Sequence, residues 1–318
     1  MTFPWKLVSY RTKNNATSIG VLDGSDIIDL SSLAKGMREL LGLMSESDLT
    51  NKIQDVVKKR ETVIAAGQTT LLASVTEPRM FYDFLGFEKH VRQIRDKRGD
   101  KVPELWYQRP AYYVASTSAD KLFGPGEVRV PTLVEKPDYE FEIALVVAKK
   151  GKLQSVEEAR EFVQKHCFFT LFNDWSARDF QKLDMQLGLG VSHSKTMIGS
   201  TLGPCLVHAS QFKFDPEGRP DIKMTLHVNK EVRSESNYNT VHWDFAKILA
   251  FLGKENISVF SGDILGSGTV GDGCIAEFAA KVVDGKEIAP AKYDWLKNGD
   301  EITLEASGIG TLSSTVKI

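Results

Sequence analysis

Asp138-Tyr139-Glu140-Phe141-Glu142 runs directly into Ile143-Ala144-Leu145-Val146-Val147, and the reading of this stretch decides the fold. Its β-branched and aliphatic residues predict a strand. Side chains alternate across a strand, so Tyr139, Phe141, Ile143, Leu145 and Val147 share one face. Glu140 and Glu142 share the other, with Asp138 just ahead of them as a strand-entry residue. Two carboxylates spaced this way sit ~7 Å apart and repel by roughly 2 kcal/mol at an intermediate effective dielectric. No Lys or Arg within the strand relieves the repulsion. A strand that receives a hard cation and an edge strand with a wetted acidic face both satisfy these residues.

The remaining composition is that of a globular chain. Its 318 residues are 42% hydrophobic, enough for one large domain and a smaller one. A net charge of −2 and a pI near 6.3 recommend neither nucleic acid nor an anionic membrane as partner. Met1-Thr2-Phe3-Pro4-Trp5-Lys6 lacks an apolar signal core, and no run approaches the ~18 apolar residues of a membrane span. Cys167, Cys205 and Cys274 form neither a disulfide framework nor a zinc pattern, which points to a reducing, cytoplasmic setting.

Lys6 to Tyr10, Ser18 to Leu22 and Asp26 to Leu30 read as short strands, with Asp23-Gly24 as a hairpin turn. Ser31 to Leu43 and Ser47 to Ala66 carry helical spacing. We therefore expect a small N-terminal α+β domain over residues 1–72 and a β-rich catalytic domain over 73–318, an α+β protein overall. Phe81 to Arg98 reads as one helix whose end runs into the charged stretch Arg95 to Lys101, a solvated loop or a lid. Ser155 to His166 reads as a helix capped by Ser155, and Cys167 to Phe172 as an apolar strand. Lys223 to Val228 and Glu231 to Arg233 are strands around an Asn229-Lys230 tip. Val241 to Leu252 is an amphipathic helix.

Gly266-Ser267-Gly268-Thr269-Val270-Gly271 spells a dinucleotide fingerprint, but that motif needs a helix to follow. Cys274 to Phe278 reads as a strand instead, so close-approach backbone is the better interpretation. Asp174, at the end of an apolar strand, adds a third carboxylate. Oxygen donors of this kind suit Mg²⁺, Mn²⁺ or Ca²⁺ rather than a soft metal.

Four motifs occur in order: Asp-Tyr-Glu-Phe-Glu at 138–142, Asn-Asp-Trp-Ser-Ala-Arg-Asp-Phe-Gln at 173–181, Lys195 ahead of Gly203-Pro204, and Gly-Asp-Ile-Leu-Gly-Ser-Gly-Thr at 262–269. Together they resemble the fumarylacetoacetate hydrolase family over roughly residues 80 to 318. The resemblance implies a mixed β-sandwich or roll, a divalent metal, a homodimer and hydrolysis of a C–C bond in a β-diketone acid of the acylpyruvate kind. It implies Asp83, Glu140, Glu142 and Asp174 as metal ligands, Asp83 preceding His90 by seven as in the larger family members. It further implies His90 as catalytic base, Glu277 as the acid that orients it, and Lys195 as the family lysine. Arg178, Gln181 and Thr269 fall at substrate-binding positions. Met185 stands where the long-chain fumarylacetoacetate enzymes have a substrate-contacting Tyr, so the particular keto acid stays open.

The chemistry is coherent by itself. A β-diketone acid chelates a hard cation, and water attacking it needs a base of near-neutral pKa, the natural task of His90 with Glu277. Lys195, Arg178 and Gln181 can donate to a tetrahedral alkoxide. Decarboxylation, tautomerisation or hydration of a keto acid would use the same ligands. A binding protein in which Ca²⁺ only bolts strands together is the rival from another class.

Overall fold

The computed structural model describes residues 3–44 and 48–318. Its organising strand is Phe141–Val147, buried at every residue. The strand pairs antiparallel with Cys167–Asp174 on one side and Ile264–Gly266 on the other. It is central, and the edge-strand alternative is thereby excluded.

The sheet around it has eleven strands. In spatial order, Val63–Ala65, Asp26–Asp29, Thr17–Asp23 and Lys6–Arg11 lead to Ser200–His208, Cys167–Asp174 and Phe141–Val147. Ile264–Gly266, Phe81–Phe84 and Tyr112–Val114 complete the row, while Leu122–Phe123 pairs with Ser200–His208 off this path. A second, five-stranded sheet contains Glu231–Asn237, Lys223–Val228, Glu301–Ala306, Gly310–Lys317 and Gly126–Arg129.

Apolar residues on opposite faces of the large sheet enter different cores, as period-two alternation requires. Phe141, Ile143, Leu145 and Val147 join Met224, Leu226, Ile302 and Leu304 of the second sheet and Ile248, Leu249 and Leu252 of the helix Phe245–Lys254. Ala144, Val146, Phe168, Phe172 and Phe81 join Leu40, Leu41, Leu49 and Ile53 of the N-terminal helices Met37–Leu43 and Leu49–Lys59.

Local chemistry sets several boundaries. Ser155 accepts a hydrogen bond from Glu158 N at 3.1 Å and starts the helix Val156–His166. Asp244 accepts from Ala246 N and Lys247 N at 2.9 and 3.0 Å and starts Phe245–Lys254, later than the apolar spacing suggests. Asn229 and Lys230 both take positive φ at the hairpin tip, a conformation that asparagine tolerates well.

Four further helix or strand expectations need correction. Phe81 to Arg98 is a strand, Phe81–Phe84, then a helix, Glu88–Asp96. Phe81 and Phe84 are spaced as on a helix, but a strand buried on both faces carries no polar alternation to betray it. Ser47 lies outside the described residues, and the helix expected from there to Ala66 is Leu49–Lys59, ending at a left-handed Arg60 before the strand Val63–Ala65. The helix expected from Ser31 starts only at Met37. Cys274 to Phe278 is no strand: Ile275–Phe278 forms a 3-10 turn whose third residue, Glu277, folds back on Cys274 N.

Candidate functional site

Parity assembles the site. Asp83 shares a sheet face with Phe81, Glu142 with Ala144 and Val146, and Asp174 with Phe172, all on the side of the second core. Three carboxylates from three strands thus converge at one end of the sheet, their oxygens within 4.8 Å of one another and all buried. Gly266, paired with Asp83 across parallel strands, leaves the room. Gly268, at φ +79°, donates its N–H to Glu142 Oε2 at 2.7 Å. Tyr113 Oη donates to Asp174 Oδ1 at 2.8 Å. The glycine-rich run is therefore a backbone cradle for carboxylates rather than for a pyrophosphate.

Asp83 Oδ1 and Glu142 Oε1 are buried without a hydrogen-bond partner. Orphaned carboxylate oxygens inside a protein cost several kcal/mol unless protonated or bound to a cation. Burial, followed by the charge of Asp174, pushes Asp83 well above the usual carboxylate range. Burial and then the charges of Asp83 and Asp174 do the same to Glu142. The donor set is all oxygen, so these residues fit a hard divalent cation.

Glu140 lies beside the triad and is already engaged. Arg178 Nη2 donates to its Oε1 at 2.6 Å, and Lys195 Nζ lies 2.5 Å from its Oε2 and 2.5 Å from Asp174 Oδ2. Burial alone would raise Glu140, but the charges of Lys195 and Arg178 outweigh it and hold the carboxylate below its usual range. Burial likewise opposes the Lys195 ammonium, and Asp174 and Glu140 overcome it. Asp174 stays raised, because burial exceeds the attraction of Lys195.

On the adjoining wall, His90 Nδ1 lies 2.9 Å from Glu277 Oε1. Glu277 is pinned in turn, its Oε2 accepting from Cys274 N at 3.0 Å. This leaves Nε2 as the imidazole nitrogen for chemistry. Gln181 Oε1 accepts from Arg178 Nη1 at 2.9 Å, and Thr269 is buried beside Gly268. Glu88, at the start of the same helix as His90, points elsewhere and takes a hydrogen bond from Tyr107 Oη. The run after it is tied down, with Lys281 Nζ on Asp96 Oδ1 and Val282 N on Lys97 O. His193 binds Asp184 and not the site.

Asp138 and Tyr113 are contributors that the sequence motifs did not assign. Asp138 is fully buried and receives Arg178 Nε at 2.8 Å. Its parity with Glu140 was a signal, but nothing local names its partners. Tyr113 reaches Asp174 only because its strand pairs with that of Asp83.

Residues 79–317 match the family described as fumarylacetoacetate (FAA) hydrolase, C-terminal. Oxaloacetate tautomerase YisK of Bacillus subtilis is 32% identical over 180 residues, 56% of this chain, and the match spans about half, 52%, of that relative. The mitochondrial oxaloacetate tautomerase FAHD2A of Bos taurus is 24% identical over 304 residues, covering 92% of this chain and 85% of its own. In structure, a fumarylacetoacetate hydrolase from psychrophilic Exiguobacterium antarcticum superposes with a TM-score of 0.72 at 21% identity, over 98% of this chain and 99% of its own.

Proposed function

The chain belongs to the fumarylacetoacetate hydrolase family, and from that premise we propose that it is a divalent-metal-dependent hydrolase that cleaves a C–C bond in a 2,4-diketo, acylpyruvate-like acid. The observation that carries the proposal is the buried His90–Glu277 pair at 2.9 Å. A carboxylate on Nδ1 fixes the imidazole tautomer and stabilises the imidazolium, which is what activation of a water requires. A purely structural Ca²⁺ site would leave that pair without a task.

Asp83, Glu142 and Asp174, with Glu140 beside them, would hold Mg²⁺ or Mn²⁺. The bound cation supplies Lewis acidity to the chelating oxygens of the 1,3-dicarbonyl acid. His90 Nε2 takes a proton from water as the water oxygen joins the distal carbonyl carbon. The bond from that carbon to the central carbon then breaks, and its electron pair leaves on the pyruvate half, which regains the proton. Lys195 Nζ, Gln181 and Thr269 orient the acid and donate to developing negative charge. Arg178 has three nitrogens committed to Asp138, Glu140 and Gln181, so keeping Glu140 ionised is a large part of its role in binding.

Tautomerisation of a keto acid such as oxaloacetate is the second reading, favoured by the names of the relatives. It needs a proton moved between carbon and oxygen but no attacking water. The purified protein with Mn²⁺ or Mg²⁺ is to be assayed on acylpyruvates, following loss of the enol absorbance, and on enol-oxaloacetate. Cleavage that disappears in His90→Ala supports hydrolysis. Tautomerisation without cleavage selects the second reading, and absence of both defeats the two together. A homodimer completes this proposal, and so does a reducing cytoplasmic setting, consistent with three buried free cysteines.

A further inference from the structure

We propose that Asp138 is a positioning residue that locks the guanidinium of Arg178 to the turn that aims His90. The inference rests on the catalytic pairing of His90 with Glu277 and adds a residue that neither motif nor family likeness assigns.

The geometry is closed on every side. Asp138 has 0% exposure. Its Oδ2 accepts from Arg178 Nε at 2.8 Å and from Ala276 N at 3.0 Å. Its Oδ1 accepts from Ile275 N at 2.8 Å. Arg178 Nη2 also lies 2.8 Å from Oδ2 while donating to Glu140. A buried carboxylate with this set of donors is held in one orientation, because each lost hydrogen bond would leave a charge unpaired.

Two arms of the site therefore hang from one side chain. On one arm, Arg178 begins the helix Arg178–Gln186 and fixes Glu140 and Gln181. On the other, Ile275 and Ala276 open the 3-10 turn whose next residue is Glu277, and Glu277 holds His90 Nδ1. Asp138 itself pairs across to Ser176, two residues before Arg178. No step of the reaction touches Asp138, but the angle of Glu277 and the reach of Arg178 both depend on it.

Asp138→Asn tests this, since it keeps the volume and replaces one acceptor by an NH₂ that must face a donor. The first readout is the ¹⁵N spectrum of the imidazoles in the metal-free protein, with His90 assigned by His90→Gln. Wild type is expected to show His90 protonated at Nδ1, and the folded Asp138→Asn variant a mixture of tautomers. The second is kinetic: kcat falls roughly 10- to 100-fold, as for other residues that orient a catalytic group, with KM changed far less. In the double variant Asp138→Asn/Glu277→Gln, the loss in kcat is smaller than the product of the two single losses, because the part of the Asp138 effect that passes through Glu277 is already gone.

A side chain that only fills space would lower the melting temperature and leave tautomer and kcat of the folded variant at wild-type values; that result overturns the proposal. So does a double variant whose losses multiply. If Asp138→Asn does not fold, Arg178→Lys carries the test, since it removes the Nε–H on Asp138 while keeping a positive charge. An unchanged His90 tautomer there overturns the proposal equally. The spectroscopic arm needs neither substrate nor metal, so failure of the hydrolase reading leaves it decisive.

Discussion

Gly266 faces Asp83 across paired parallel strands with no room for a side chain between them. A Cβ at residue 266 would strike Asp83 Oδ1 and come within 2.9 Å of the Phe172 ring. Gly266→Ala is therefore expected to turn Asp83 away from Glu142 and Asp174 and to weaken Mn²⁺ binding by on the order of 10-fold or more. Titration calorimetry reads this directly, and undiminished affinity would remove Asp83 from the ligand set.

Glu142→Gln should separate stability from cation binding. Without a cation, Glu142 meets the charges of Asp83 and Asp174 in a buried site, so neutralising it relieves repulsion. Its Oε2 contact to Gly268 N survives in the amide. The metal-free variant is expected to gain on the order of 1 kcal/mol, about 2 °C in melting temperature. The stabilisation of the wild type by millimolar Mg²⁺ is expected to vanish. A cation-free variant that melts lower than wild type would contradict this account.

His208 makes stability depend on acid. It is buried between Phe3 and Phe168, with ring centroids 5.8 and 4.9 Å away. Burial pushes its pKa down to about 4. Between that value and an unfolded pKa near 6.5, the unfolded chain binds more protons, so stability rises with pH through this window. It is full above about pH 6.5 and declines as pH falls toward 4, by roughly 3 kcal/mol in all. Urea unfolding at pH 7 and pH 5 should show the loss in wild type and a smaller one in His208→Phe; equal slopes would clear His208.

Much of this was legible because strands advertise parity. Glu140, Glu142 and Asp174 stand on or beside apolar strands, and alternation alone separates them from the core residues around them. Asp83 came only through the family resemblance, as the acid seven residues before His90, for its own strand is buried on both faces and resembles a helix in pattern. Asp138, Tyr113 and Gly266 act through residues far away in the chain, and no window of sequence contains both ends of such a contact. The turn at Ile275–Phe278 escaped because four apolar or acidic residues after two glycines read equally as a strand. The break expected near residue 72 stands as a proposal about folding units; Lys6–Arg11 pairs with Ser200–His208 in the large sheet.

Asp83, Glu142 and Asp174 come from strands that become neighbours only when the middle of the sheet is complete, with Ile264–Gly266 inserted between the first two. Such non-local pairing is slow and late in folding. A partly folded chain therefore offers a cation no site to bind, and the ion cannot act as a template. Mn²⁺ or Mg²⁺ is expected to leave the refolding rate unchanged and to slow unfolding, because the interaction it adds is absent from the transition state. Stopped-flow refolding that accelerates with metal would place the carboxylates together early. Otherwise the ion acts as a latch, set after the fold has closed and governing how long it stays closed.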